Sequence, residues 1–446
     1  MRRLFFALYL GSAFAFAFSI TSVNAATQPP SSPGGQASTP ESASVQKQPV
    51  KNYTLSPEKY EKAVAYSRAT YRLHFLGAAY SLALLLIILS LRLSPLFRDW
   101  AERVSRRRFI QAIVFVPLLL ITFDLLKSPL DAYRHHLNVH YAISVQGWGS
   151  WAWDWAKGEL IQLIIASILA YILYGVIRRS PRRWWLYCGL ASVPLLTFLM
   201  FIQPVIIEPL FYKFEPLAVT QPALVEQIEK EVQHAGLAIP RERMFEMNAS
   251  EKLNAIDAYV TGFGSSARIV VLDTTIAKMS TPETLFVAGH EMGHYVLGHI
   301  PKGIAFSCAL IILVLLLIYF AINRTLARKQ RRWAIRGLDD WASLPAILLF
   351  LYLFFFLAEP ASNSFSRYQE HQADVYGLEV IHGLVPDSSE TAAEAFQTLG
   401  EVDLADPNPG ALIEVWLYSH PPLAERLTFA HEYDPWSKGQ TPMFVR

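Results

Sequence analysis

PETLFVAGHEMGHYVLGH, residues 282–299, places two histidines four residues apart, His290 and His294, with Glu291 directly after the first. Leu285, Phe286, Val287, Ala288, Val296 and Leu297 surround them as the apolar positions of a buried helix, with Thr281 as its cap and Pro282 in its first turn. Residues four apart on a helix share a face, so the two imidazoles converge on one ion. Glu291 is displaced by about 100° from His290, which directs it to a water beside the ion rather than to the ion itself. Zinc lowers the pKa of such a water to about 7, and a neighbouring carboxylate then acts as general base. Burying two histidines and a glutamate without a role is costly. The expected cofactor is Zn2+, one per chain, held by His290 and His294.

A catalytic zinc takes a third protein ligand and keeps one position open. The segment SRYQEHQAD (366–374) offers Glu370 and Asp374, again four apart on a helical pattern. Glu370 is a candidate ligand, and Asp374 a candidate acceptor for the outer N–H of a liganding histidine. His371 is a rival, pointing about 100° away from Glu370. His299 lies five residues after His294, roughly 140° round on a continuous helix, and is expected to be structural or a support behind a ligand, rather than a ligand itself.

The setting of this motif is a membrane. Over half of the residues are hydrophobic, 52%, and mean hydropathy is +0.26. The apolar residues fall in long uncharged blocks at about 75–91, 109–126, 160–177, 184–207, 303–322 and 341–358. Asp124 interrupts the second block, where an ionisable residue needs a partner, a wet cavity or the headgroup zone. Net charge is only +2, which gives no argument for nucleic-acid binding. The arginines cluster in 92–108, 178–183 and 324–336. All three clusters fall on one side if every block crosses, and the positive-inside rule makes that side cytoplasmic. The polar regions 208–302 and 359–446 then lie on the opposite face. Cys188 and Cys308 sit in separate apolar blocks and read as buried small hydrophobes.

The expected organisation is a signal peptide or first transmembrane helix at 1–25, a disordered linker at 26–55, and an N-terminal helix with four spans at 56–207. A peptidase segment at 208–302, two spans at 303–358 and the rest of the peptidase at 359–446 follow. Within the peptidase segment, 220–236 has helical spacing, while 258–263 and 267–273 form a hairpin about Gly264-Ser265-Ser266.

Several stretches in this order resemble the type I CAAX prenyl protease family of integral-membrane zinc endopeptidases. They are SPEKYEKAVAYSRA (56–69), PLDAY (129–133), IIEPLFYKFEPL (206–217), AYVTGFG (258–264), RIVVLDTTI (268–276), HEMGH (290–294) with His299, SRYQEHQAD (366–374) and SHPPLAERL (419–427). The resemblance implies a mainly α fold, a polytopic transmembrane helical barrel around a chamber, joined to a gluzincin-like α+β zinc metallopeptidase domain. It implies that Glu370 is the third ligand, and that His420 and Arg426 face the scissile carbonyl and stabilise its developing charge. The strand at Ile269 and Val271 is expected to offer an edge for an extended peptide. Where the family has Asn before Ala-Tyr, this chain has Asp257, which cannot donate as an amide does; substrate contact there is expected to differ.

The implied partners are a polypeptide substrate, lipidated or not, and membrane lipid; no nucleic acid is expected, and nothing in the sequence specifies an oligomeric state. In a bacterial cell the location would be the inner membrane, with the peptidase facing the periplasm. The alternatives are a transporter or a scaffold with a vestigial metal site. The first predicts charge-lined spans, which these blocks lack.

Overall fold

A computed structural model describes residues 50–445 of the chain, apart from Lys51, Phe263 and the side chain of Ser265. The expected segment 1–25 and the linker before Val50 lie outside the described residues. Among the described residues, six helices are long and apolar enough to cross a membrane. The first, α1 (Pro57–Ser90), runs unbroken from the expected N-terminal helix into the first span. Ser56 caps it, accepting from the Lys59 N–H, and no proline separates the two parts. A short helix, α2 (Leu93–Val104), leads to α3 (Arg108–His140). Then come α4 (Trp148–Arg179) and α5 (Trp184–Ile202), the latter continued by a π turn at Gln203–Ile207 and a 3-10 turn at Glu208–Leu210.

Asp124, the interruption of the second span, is buried and accepts from the Gln162 Nε2 of α4 at 3.0 Å. A partner on the neighbouring helix is what lets a carboxyl group sit at that depth.

The polar region follows. Its strands are β1 (Phe214–Pro216), β2 (Met244–Met247), β3 (Ala258–Thr261) and β4 (Arg268–Leu272), with helix α6 (Pro222–His234) between the first two. They form one sheet in the order β1-β2-β4-β3, with β2 parallel to β4 and the hairpin β3–β4 antiparallel. This corrects one expectation. β4 is an inner strand, flanked on both sides, and its Ile269 and Val271 are both 0% exposed. The free edge next to the hairpin belongs to β3.

The metal-motif helix, α7 (Thr281–Val296), packs on β3 and on the long helix of the sixth span. Its cap is Ser280, one residue before the expected Thr281. Ser280 and Glu283 satisfy each other's backbone N–H groups in a capping box. The helix also ends earlier than its apolar pattern suggested. Gly298 adopts φ 65°, a left-handed conformation that a glycine takes without strain. A new helix, α8 (His299–Trp333), starts there and becomes the fifth span.

The sixth span is α9 (Leu344–Val380). It does not stop at the expected boundary of 358 but carries on into the peptidase, past Glu370 and Asp374. Three short helices complete the fold: α10 (Ser388–Asp403), α11 (Ala411–Leu417) and α12 (Leu423–Glu432).

Two cores result. One lies among the spans around Phe115, Phe123, Tyr174, Trp184, Ile318 and Trp341; the other joins the sheet to α6, α7, α9 and α10 through Ile228, Phe286, Val380 and Phe396. The arginine-rich connections gather at one end of the bundle, where Arg98 reaches Asp340 at 2.7 Å and Arg336 reaches Glu102 at 2.7 Å. The opposite connections meet the sheet region, Val145 N–H donating to the Lys252 carbonyl and Lys252 pairing with Asp154 at 2.5 Å.

Candidate metal centre

Two helices build the site, and both are held by neighbours rather than by local propensity. α7 supplies His290, Glu291 and His294 from successive turns; α9 supplies Glu370 and Asp374. The His290 Nε2 lies 3.2 Å from the His294 Nε2 and 3.2 Å from Glu370 Oε2, while the His294 Nε2 is 3.5 Å from that same oxygen. Among the described residues, these three form the group of histidine, cysteine or carboxylate side chains placed to hold one metal ion.

The outer partners settle which nitrogen of each ring carries the proton. The His290 Nδ1 is 2.9 Å from Asp374 Oδ1. Arg426 donates to that carboxylate from Nε at 2.8 Å and from Nη2 at 2.5 Å, so Asp374 is held ionised and can only accept. The His290 proton therefore sits on Nδ1, and its Nε2 lone pair faces the group. On the other ring, the His294 Nδ1 is 3.0 Å from the His299 Nδ1, and the His299 Nε2 is 3.2 Å from Gln372 Oε1. An amide oxygen accepts, so His299 is protonated at Nε2 and accepts at Nδ1 from His294. That again leaves the His294 Nε2 lone pair pointing inward. Two imidazole lone pairs and a carboxylate oxygen converge, which is the donor set a zinc ion takes.

The surrounding carboxylates favour a positive charge at the same place. Burial alone would lower the His290 pKa, but Asp374 and Glu370 at hydrogen-bond distance outweigh it and carry the imidazole up to about 10. The pocket stabilises a positive charge. Glu291 is pushed up to about 7 by burial, against the pull of His294 and His290. That is the range in which a carboxylate exchanges protons at neutral pH.

His290, Glu291, His294, His299, Glu370 and Arg426 line one cavity of about 120 Å³, together with Asp257 and the first residues of the free-edge strand β3, Ala258, Tyr259 and Val260. Asp257 has its backbone engaged, its N–H donating to Thr275 Oγ1 at 2.8 Å and its carbonyl accepting from that hydroxyl at 2.6 Å. Asp257 is part of the cavity lining. A second, apolar cavity continues along β3 past Thr261 between α5 and α8. Its wall includes Glu208, which accepts from the Tyr259 hydroxyl at 2.7 Å and pairs with Arg268 at 3.3 Å. This is what the IIEPLF stretch does: it pins the end of the fourth span to the sheet.

His420, on the loop before α12, has its Nε2 3.0 Å from Glu370 Oε2, and its Nδ1 is within 2.9 Å of the Ser419 hydroxyl. It lies in the cavity, partly exposed. Arg426 lines the same cavity and has a second part. The guanidinium is buried, stacks over the Phe396 ring at 4.4 Å, and commits Nε and Nη2 to Asp374 behind His290 rather than to the open side of the group. His371 packs edge-on against Phe429, away from the three converging groups. Two features escaped the sequence reading, the Arg426–Asp374 pair and the His299–His294 contact. The first joins residues 52 apart with no periodicity to reveal it. The second had a signal in Gly298, a residue that ends helices.

Comparison with known proteins matches this architecture in two parts. Residues 218–434 match the model of peptidase family M48, and residues 44–213 match the CAAX prenyl protease N-terminal model, described as five membrane helices. A metalloprotease of Bacillus subtilis, YhfN, is 35% identical over 378 residues, covering 85% of this chain and 87% of that protein. CAAX prenyl protease 1 of Saccharomyces cerevisiae is 27% identical over 415 residues, covering 85% and 87%. The crystal structure of S. mikatae Ste24p superposes with a TM-score of 0.73 at 26% identity, covering 87% of this chain and 93% of that one. With a histidine–histidine–glutamate group at the junction of six membrane helices and a small sheet, this chain belongs to peptidase family M48 and is an integral-membrane metalloprotease.

Proposed function

We propose that the chain is a zinc endopeptidase that cuts a polypeptide laid along the free edge of β3. The observation that carries this reading is the convergence of His290, His294 and Glu370 in one cavity with Glu291 and that strand. The three residues would hold Zn2+, which supplies Lewis acidity at the scissile carbonyl and an activated water. Glu291 takes the proton of the attacking water and delivers it to the leaving amine. His420 donates to the oxygen that becomes negative as the carbonyl is attacked. Arg426 is a positioning residue, keeping Asp374 ionised so that His290 stays protonated at Nδ1. Backbone groups of β3 pair with the extended substrate, and Asp257 contacts it at the metal end of the strand through an acceptor-only side chain.

The arginine-rich end of the bundle is taken as cytoplasmic by the positive-inside rule. The peptidase then lies on the opposite face, periplasmic in a bacterial inner membrane. That placement favours membrane or misfolded polypeptides as substrates over a cytoplasmic prenylated terminus of the kind named in the CAAX prenyl protease relatives. Reporter fusions test it: a cytoplasm-only reporter is expected to work after Arg336 and to fail after Met443. Activity at the second point would reverse the orientation.

The mechanism is tested with Glu291→Gln in the purified full chain. Cleavage of a casein peptide and of a prenylated peptide is expected to fall at least about 10²-fold, with zinc still bound. Turnover equal to that of the parent would overturn the role of Glu291, and the peptide cleaved faster by the parent chain identifies the substrate class.

A further inference from the structure

We propose that the arginine-rich end of the bundle carries a binding site for an anionic phospholipid, between α2 and the first half of α3. α2 has 12 residues, too few to cross a membrane. One side is anchored inward: Phe97 and Ala101 are buried, and Arg98 donates to Asp340 at 2.7 Å. The other side turns Leu96, Trp100 and Val104 outward at a spacing of four residues, with Trp100 45% and Val104 64% exposed. An amphipathic helix with an outward tryptophan is the form of an element lying at the membrane surface.

Between this outward face and α3 runs a groove. Its walls are Trp100, Val104, Val114, Pro117, Leu118 and Ile121, and the remaining lining residue is Arg103. From Val114 to Ile121 the wall extends about 10 Å along α3, away from the arginines and into the span, as the first part of an acyl chain would lie.

The headgroup end is set by charge. Arg103, exposed, lines the groove, and Arg106 and Arg107 are exposed in the turn that directly follows Val104. Among the described residues no carboxylate pairs with any of the three. Two nearby arginines behave otherwise: Arg98 pairs with Asp340 and Asp99, and Arg336 with Glu102 and Asp99. The unpaired guanidinium groups thus stand where an apolar groove meets the headgroup layer. A lipid with a negatively charged phosphodiester and no compensating amine satisfies both halves of the site; phosphatidylglycerol is the simplest such lipid. Each arginine near the surface contributes about fivefold to attraction of an anionic lipid.

The experiment uses the full chain purified in detergent, exposed in turn to phosphatidylglycerol and phosphatidylcholine of the same acyl composition. Retained lipid is counted by native mass spectrometry. The parent chain is expected to retain phosphatidylglycerol in preference. Arg103→Gln should lower that preference about fivefold, and neutralising Arg106 and Arg107 as well should abolish it. Leu118→Trp fills the groove and should reduce retention of both lipids. Peptide cleavage is read in parallel; it stays at the parent level if the variants are folded, because the groove is at the far end from the metal group. Equal retention of the two lipids by the parent would overturn the headgroup assignment. Unchanged retention in folded Leu118→Trp would overturn the groove. A lipid-free dimer that the same variants dissociate would replace the lipid by a second copy of the chain.

Discussion

Replacing Gly377 by alanine places one methyl group against the backbone of the metal-motif helix. A Cβ at 377 would lie 2.9 Å from the His290 nitrogen, 3.1 Å from its Cα and 3.3 Å from its Cβ. Ordinary contact between such atoms is about 3.5–4.0 Å, so α7 and α9 must separate by on the order of 0.5–1 Å at this point. None of the crowding atoms can rotate aside, because the nearest two are main chain. The position matters because the metal group is split across this contact: His290 and His294 lie on one helix, Glu370 on the other. Overpacking of this kind costs about 1–3 kcal/mol of stability. A displacement approaching 1 Å at a reacting centre costs about 10²-fold in rate. The assay is kcat/KM on a fluorogenic peptide in nanodiscs, with zinc per chain measured on the same sample. Gly175→Ala is the control, since a Cβ there meets nothing within 4 Å; it should be neutral or slightly stabilising as a helix-interior change from glycine. Full zinc occupancy and parent-level activity in Gly377→Ala would refute the claim that close helix approach sets the geometry of the group.

Two further outcomes are expected. Asp374→Asn keeps an oxygen for His290 but leaves the buried Arg426 guanidinium without its counter-charge; zinc affinity should fall about 10–100-fold, and stability, followed by thermal unfolding, by about 3–5 kcal/mol. His420→Ala should lower kcat about 10²–10³-fold with zinc content unchanged; parallel loss of zinc would show that His420 serves Glu370 instead.

How far the sequence could be read depends on the range of the interactions involved. The spans were legible because a bilayer demands about 20 consecutive apolar residues, and that signal is local. The convergence of His290 and His294 was legible because helical spacing alone brings them together. The free edge of the sheet was not. A hairpin pattern identifies β3 and β4 as neighbours, yet it does not say which of the two takes another strand on its far side. That choice is made by β2, which inserts parallel to β4 from residues 244–247, and it moved the edge from Ile269 and Val271 to β3. The boundary expected at 358 failed for a similar reason. Hydropathy ends there, but α9 continues through Pro360 and delivers Glu370 and Asp374 from the membrane to the metal group.

His299 shows how a correct exclusion can rest on incomplete geometry. On a continuous helix it would point roughly 140° away from His294 and would contribute nothing to the site. The chain breaks at Gly298, and the break turns His299 back onto His294, Nδ1 to Nδ1 at 3.0 Å. It remains outside the converging group, and its contact gives it a definite part. Gln372 fixes its proton on Nε2, so its Nδ1 accepts from His294 and directs the opposite lone pair inward. His290 receives the same treatment from Asp374 and Arg426. The two imidazoles are thus oriented by unlike partners, one anionic and one neutral. The ionised partner raises the basicity of its ring more than a neutral imidazole does, which makes His290 the stronger donor of the pair and the side of the group most exposed to any change that reaches Asp374.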